Sequence, residues 1–196
     1  MKLFLTSKAF GNSVLKKKIL SQLKKDVGII KLLLIPTALS GTYPPDKYIN
    51  ELLVSGFTKD NIIIFDENNC KDYCNLDIDI IYVCGGNTFT LVKLINECGF
   101  GSEIVKYLSR DIIYIGRSAG THLVTRNVQH VLPFDDNKIG LENFDALGIF
   151  DGIIFCHYDE SREEYYSQAI KKEKYNVYKI TNEEMIIYDN GQTSII

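Results

Sequence analysis

The stretch Gly116-Arg117-Ser118-Ala119-Gly120 fits the pattern G-x-S-x-G. In that pattern a serine occupies a tight turn from strand to helix, and the flanking glycines let neighbouring backbone pass close by. Such a turn projects the hydroxyl from the C-terminal edge of a sheet, where it can attack a carbonyl carbon. A serine that merely caps the following helix would fit the same five residues, so the partners must decide. Nucleophilic chemistry asks for a base within hydrogen-bond reach and for backbone donors that receive the developing oxyanion.

Three histidines are available. His122 lies four residues after Ser118 on the same expected helix, one turn down toward the body of the protein, where a satisfied, half-buried histidine is the default. His130 falls in the irregular stretch "NVQHVLPFDD", where a solvated or loop-tethering role is expected. His157 ends the apolar run "GIIFCH". If that run is a strand parallel to the one before Ser118, His157 reaches the same sheet edge, where open α/β folds build their sites. His157 is therefore the expected base. Ala119, the residue after the serine, is the first candidate oxyanion donor. The second should come from another strand-to-helix loop, and "CGGNTFTLVKL" offers Gly85 and Gly86 there.

Elements that could hold these residues are marked by hydrophobic period. Short β-branched runs at 2–6, 31–36, 61–66, 78–84, 112–116 and 152–157 read as strands. Amphipathic stretches at 13–25, 45–55, 88–98, 102–109, 118–125 and 160–172 read as helices. Pro44 and Pro45 suit a helical first turn that tolerates missing N–H groups, and Asn87 or Thr88 can cap the helix after "GG". This alternation calls for a mostly parallel sheet covered on both faces, a three-layer αβα sandwich. From Tyr175 onward "YNVYKI", "EMIIYDNG" and "TSII" read as short strands, with Asp189-Asn190-Gly191 as a hairpin turn closing a small antiparallel edge.

The whole chain limits the functional classes. At 196 residues it has the size of one domain, able to bury roughly 70% of the surface exposed by its unfolded form, and one domain over 1–196 is expected. With 22 Lys and Arg against 25 Asp and Glu the net charge is −3, and Lys16 to Lys18 is too short a basic run for a nucleic-acid groove. Five cysteines, odd in number and partly inside apolar runs, suggest buried thiols in a reducing cytoplasm. Cys70 and Cys74 lack a matching pair with zinc-ligand spacing, so no metal is expected. No secretory leader and no membrane-spanning run is expected either.

The motifs "YVCGGNTFTLVKL", "YIGRSAG", "NFDALGIF", "FCHYD" and "ITNEEMIIYDNG" occur in the order seen in the peptidase E family, and in combination the chain resembles those α-aspartyl dipeptidases over most of its length. The resemblance implies a flavodoxin-like fold of the class I glutamine amidotransferase type and a cofactor-free Ser-His-acid hydrolase acting on short peptides with an N-terminal aspartate. It assigns Ser118 as nucleophile, His157 as base, and the N–H groups of Gly86 and Ala119 as oxyanion donors.

This sequence departs from the family pattern where the acid should stand, because alignment on "ITNEEMIIYDNG" puts Asn182 there. An asparagine can orient an imidazole but cannot stabilise its cation by charge. Glu183, next door, would serve if the turn shifts by one residue. Asn182 and Glu183 stand level as third member, with Asp159 behind them. The segment after His157 is also short, where the dipeptidases have a longer loop beside the substrate. Asn87 and Arg117 are candidate substrate contacts, and Arg126 or Arg162 could pair with a substrate carboxylate. A relative that keeps the pocket for binding or regulation is the alternative to a peptidase. A glutamine amidotransferase would want cysteine where Ser118 stands.

Overall fold

The computed structural model describes residues 1–39 and 45–196. Pro44, read above as part of a helix start, lies outside them. Nine strands and six α-helices follow in order: β1 (Lys2–Thr6), α1 (Ser13–Gln22), β2 (Leu32–Ile35), α2 (Asp46–Leu53), β3 (Ile62–Ile64), β4 (Ile80–Val83), α3 (Thr88–Glu97), α4 (Phe100–Leu108), β5 (Ile113–Arg117), α5 (Ala119–Leu123), β6 (Ile153–Phe155), α6 (Glu163–Lys172), β7 (Val177–Lys179), β8 (Met185–Asp189) and β9 (Gln192–Ile195) among the described residues.

Seven strands form one sheet in the order β3-β2-β4-β5-β1-β8-β9. The first five are parallel, and β8 and β9 add an antiparallel edge. Side chains of a strand alternate between faces, and the burial follows that period. Leu3, Leu33, Ile81 and Tyr114 pack with Phe89 and Ile95 of α3, Ile104 of α4 and Leu123 of α5. Phe4, Leu34, Tyr82 and Ile115 pack with Leu15 and Ile19 of α1 and Leu52 of α2. Both faces are therefore covered by helices, which is why the central strands read as continuous apolar runs.

Two expectations about the sheet are corrected. β6 does not join the main sheet, and the strand in "YNVYKI", β7, is not part of the antiparallel edge. The two pair with each other, in parallel, as a separate small sheet. The reason lies at β1, which hydrogen-bonds β5 along one side and β8 along the other, so no ladder position is left for β6. Ile153 and Phe155 instead pack against Ala169 of α6, while Ile154 and Cys156 turn toward the main core. Helix bounds differ by a few residues: α1 ends at Gln22, with Leu23 already extended, and a 3-10 turn (Glu160–Arg162) precedes α6. Among the described residues no helix is long and apolar enough to cross a membrane.

Candidate active site

The chain turns sharply at the end of β5. Ser118 has φ 50° and ψ −105°, a left-handed conformation that costs a non-glycine residue about 1–3 kcal/mol. Its N–H donates to Thr6 O at 2.9 Å, and its carbonyl accepts from the N–H groups of Thr121 and His122, so strand, turn and helix are locked in succession. Below it, Thr121 Oγ1 accepts from Thr6 N–H and donates to Thr6 O, tying α5 to β1. The two glycines of the motif are sterically required. A Cβ on Gly116 would stand 2.7 Å from Gly120 O, and one on Gly120 would stand 2.3 Å from Val83 O. The doubled-back helix thus rests directly on strand backbone, which is what aims Ser118 outward.

His157 arrives from β6, just past the strand, also with positive φ (54°). Its N–H donates to Ser7 Oγ at 2.9 Å, which pins the turn to the loop after β1. Although β6 is outside the main sheet, that anchoring brings the ring to Ser118: His157 Nε2 lies 2.9 Å from Ser118 Oγ. Nδ1 lies 2.8 Å from Asn182 Oδ1, in the loop between β7 and β8. Since the Asn182 carbonyl oxygen can only accept, the proton sits on Nδ1 and the Nε2 lone pair faces the serine hydroxyl. Burial pulls the His157 pKa below the ordinary imidazole value. The Asn182 hydrogen bond opposes this, and the positive charges of Arg162, Lys8 and Arg117 add to it. A neutral imidazole therefore faces the Ser118 hydroxyl at neutral pH.

Of the three residues weighed for the third position, the structure brings only Asn182 to His157. The Glu183 side chain is exposed and its backbone carbonyl accepts from Lys18 Nζ, while Glu184 closes the turn by accepting from Thr181 N–H. Asp159 caps the 3-10 turn before α6 by accepting from Ser161 N–H. The other two histidines do not reach Ser118. His130 Nε2 donates to Ile154 O at 2.9 Å, a loop tether, and His122 is buried on α5.

Gly86 has φ 150°, and a Cβ there would stand 2.3 Å from Ala38 O, so the loop after β4 admits only glycine at that point. Asn87 N–H donates to the same Ala38 carbonyl, fixing the loop. Among the described residues, neither the N–H of Gly86 nor that of Ala119 donates to a protein acceptor. A Cβ on Gly85 would lie 3.4 Å from Ser118 Cβ, which shows how closely the β4 loop approaches the serine.

The expected substrate contacts Asn87 and Arg117 are occupied elsewhere. Asn87 Oδ1 caps α3 by accepting from Thr90 N–H, and its Nδ2 donates to Asp136 O. Arg117 follows the alternation of β5 to the face covered by α1 and α2, where it pairs with Glu51 at 2.7 Å and lies over the Tyr48 ring. Arg126 pairs with Asp151 at the surface.

A pocket of about 160 Å³ opens beside the serine, lined by Thr88, Ser118, His122, Val131, Phe134, Asp135, His157 and Arg162. Arg162 lies over the Phe134 ring at 4.0 Å and donates through Nη1 to Cys156 O. Asp135 Oδ2 accepts from Thr88 N–H at 2.8 Å, joining the loop after α5 to the start of α3. No pattern in the sequence marks Asp135, Phe134 or Thr88 as part of a site: the first two lie in the loop after α5, and Thr88 is the first residue of α3. A larger cavity of about 380 Å³ lies at the opposite end of the sheet, beside Lys2, Lys25, Asp79 and Asp189, but it contains no paired nucleophile and base. Among the described residues no group of three or more His, Cys, Asp or Glu side chains is placed to hold a metal ion.

Comparison with known proteins bears on the family and the fold. A 113-residue segment, 55% of the chain, is 34% identical to the uncharacterized peptidase Lmo0363 of Listeria monocytogenes and covers 55% of it. A 90-residue segment, 45% of the chain, is 36% identical to peptidase E of Citrobacter koseri and covers 38% of it. The matched segments thus span about half the length of these curated relatives, or less. A crystal structure assigned to peptidase E from Listeria monocytogenes EGD-e superposes over 100% of this chain and 97% of its own, with a TM-score of 0.83 at 23% identity, a likeness of fold. The model of peptidase family S51 matches residues 3–196, and the chain belongs to that family.

Proposed function

We propose that the protein is a serine peptidase of the peptidase E type that hydrolyses short peptides through Ser118, His157 and Asn182. The observation that carries this reading is the continuous relay of 2.9 Å from Ser118 Oγ to His157 Nε2 and 2.8 Å from Nδ1 to Asn182 Oδ1, built on a serine held in a strained turn.

In the first step Ser118 Oγ attacks the scissile carbonyl carbon while His157 Nε2 takes the hydroxyl proton. The carbonyl oxygen, now negative, is received by the N–H groups of Gly86 and Ala119. His157 returns the proton to the departing amine, leaving an acyl ester on Ser118. Water then attacks that ester with His157 again as base, and the acid product leaves. Asn182 holds the imidazole in the productive tautomer throughout, but supplies no charge to its cation.

The pocket suits an N-terminal acidic residue. Arg162 and Asp135 line it together and are not paired with each other within 4.0 Å among the described residues. A substrate residue that carries both an α-ammonium and a side-chain carboxylate satisfies both. The test is hydrolysis of Asp-, Glu-, Asn-, Ala- and Leu-p-nitroanilide by wild type and by Ser118→Ala. The expected result is turnover by wild type alone, with kcat/KM higher for the acidic substrates than for the Asn, Ala and Leu substrates. Equal turnover by Ser118→Ala would refute the mechanism, and equal turnover of Asp and Asn substrates would refute the acidic preference.

One observation favours a second reading, a relative that binds peptides without cleaving them: the group behind His157 is the amide of Asn182 and, among the described residues, not a carboxylate. That reading predicts saturable peptide binding with no turnover by the wild type.

A further inference from the structure

His122 has no role in the relay, yet it is a buried polar side chain that holds an unpartnered nitrogen beside Ser118. Its residue is 5% exposed, and Nδ1 is sealed from solvent with no hydrogen-bond partner. Nε2 is not sealed in the same way, and among the described residues it too has no protein partner. A leucine or phenylalanine would fill this volume without an unsatisfied nitrogen, so the imidazole needs a reason to be there. The ring lines the same pocket as Ser118, His157 and Arg162, one helical turn from the serine, whose carbonyl accepts the His122 N–H.

Its protonation state follows from its surroundings. Burial holds the ring neutral, and His130, His157 and Arg162 all further disfavour a positive charge. A neutral imidazole has one N–H and one bare lone pair. An unpartnered N–H is rarer in protein interiors than an unpartnered acceptor, so the bare lone pair belongs on the sealed Nδ1. His130 packs edge-on against the ring at 5.3 Å and cannot rescue that nitrogen, since its own Nδ1 is also unpartnered and its Nε2 is committed to Ile154 O. The proton is left on Nε2, a hydrogen-bond donor without an acceptor in a pocket that also carries a guanidinium.

We propose that His122 is a specificity-determining residue: its Nε2–H donates to one carboxylate oxygen of the substrate's acidic side chain, while Arg162 binds the other. This rests on the acidic-substrate reading above and adds a second, uncharged donor to it. A neutral donor beside a fixed cation makes the pocket demand two acceptor oxygens, which an amide side chain cannot offer.

The test compares wild type with His122→Phe, which fills the volume without a donor, and His122→Gln, whose amide nitrogen falls near the place of Nε2. His122→Phe should raise KM for Asp-p-nitroanilide about 10- to 100-fold, the worth of a hydrogen bond to a charged group, with kcat changed only a few-fold. The loss of kcat/KM for Ala-p-nitroanilide should be at least about tenfold smaller than that for the Asp substrate, and His122→Gln should stay within a few-fold of wild type on both. Equal losses on the Asp and Ala substrates would show a structural role and overturn the proposal, as would unchanged kinetics or a glutamine variant that behaves like phenylalanine.

Calorimetric binding of L-aspartate and L-asparagine separates this proposal from the hydrolase reading. If wild type cleaves nothing but binds L-aspartate in a His122-dependent way, His122 keeps its role and the hydrolase reading fails. If wild type cleaves Asp-p-nitroanilide and His122 proves indifferent, only the present inference fails. If it neither cleaves nor binds aspartate, both fail.

Discussion

Replacing Asn182 by aspartate should turn an uncharged relay into a charged one, and the structure sets the scale of the gain. The carbonyl oxygen of Asn182 is 2.8 Å from His157 Nδ1, so a carboxylate in its place would lie about 4 Å from the centre of the imidazolium charge. At an effective dielectric constant of about 20 that attraction is worth about 4 kcal/mol. Half-burying the new carboxylate takes back part of it, leaving about 1–3 kcal/mol in the transition state, where the imidazolium exists. Asn182→Asp should therefore raise kcat about 10- to 100-fold. The pH profile gives an independent sign. His157 has its pKa below the ordinary imidazole value, so kcat/KM is flat at neutral pH and falls as pH drops through that low pKa. The new carboxylate favours the protonated ring, raises its pKa and moves the acid limb to higher pH. Asn182→Ala should lower kcat about 10- to 100-fold, by loss of the hydrogen bond and of the tautomer it selects. Steady-state kinetics on a p-nitroanilide substrate from pH 4 to 9 reads all three. If Asn182→Asp leaves both kcat and the acid limb unmoved while Asn182→Ala matches wild type, Asn182 is not the partner of His157.

Other outcomes follow from the same geometry. Glu183→Gln should leave kcat and KM unchanged, because Lys18 contacts the Glu183 backbone and the side chain is exposed. Gly86→Ala, with its Cβ 2.3 Å from Ala38 O and φ at 150°, should lower stability by about 2 kcal/mol or more, seen as a Tm drop of about 4–8 °C, and kcat with it. Arg162→Met should abolish the preference for acidic over neutral N-terminal residues in kcat/KM ratios. Burial lowers the His130 pKa to about 4 from an unfolded value near 6.5. The folded state thus refuses a proton that the unfolded chain accepts. The stability margin is complete above pH 6.5 and is lost as pH falls toward 4, by at most about 3 kcal/mol from this group. Urea midpoints at pH 7 and 4.5 should therefore differ less in His130→Phe than in wild type.

The strands were largely legible from hydrophobic period, and β1 was placed over Lys2–Thr6, as the structure has it. The fate of β6 was not legible. An apolar run reports burial on both faces but does not name the neighbour, and the neighbour was decided by β8 occupying the free side of β1. At the site, Ser118 and the glycines could be read because a doubled-back turn leaves no room for other residues at 116 and 120. The choice between Asn182 and Glu183 could not be read, since one residue of register in a loop is set by Thr181 and Glu184 closing on each other. Arg117 misled because its place in the motif adjoins the serine, while strand alternation sends its side chain through to the opposite face of the sheet. Asp135 and Phe134 carried no pattern, and their place beside the serine exists only in the folded chain.

The central claim is that Ser118 is a nucleophile activated by His157. Labelling with a fluorophosphonate probe, followed by peptide mapping in a mass spectrometer, tests it most directly. A single phosphonyl adduct on Ser118 is expected, formed about 10²- to 10⁴-fold more slowly in His157→Ala. An unlabelled Ser118, or a labelling rate that His157→Ala leaves unchanged, would contradict it.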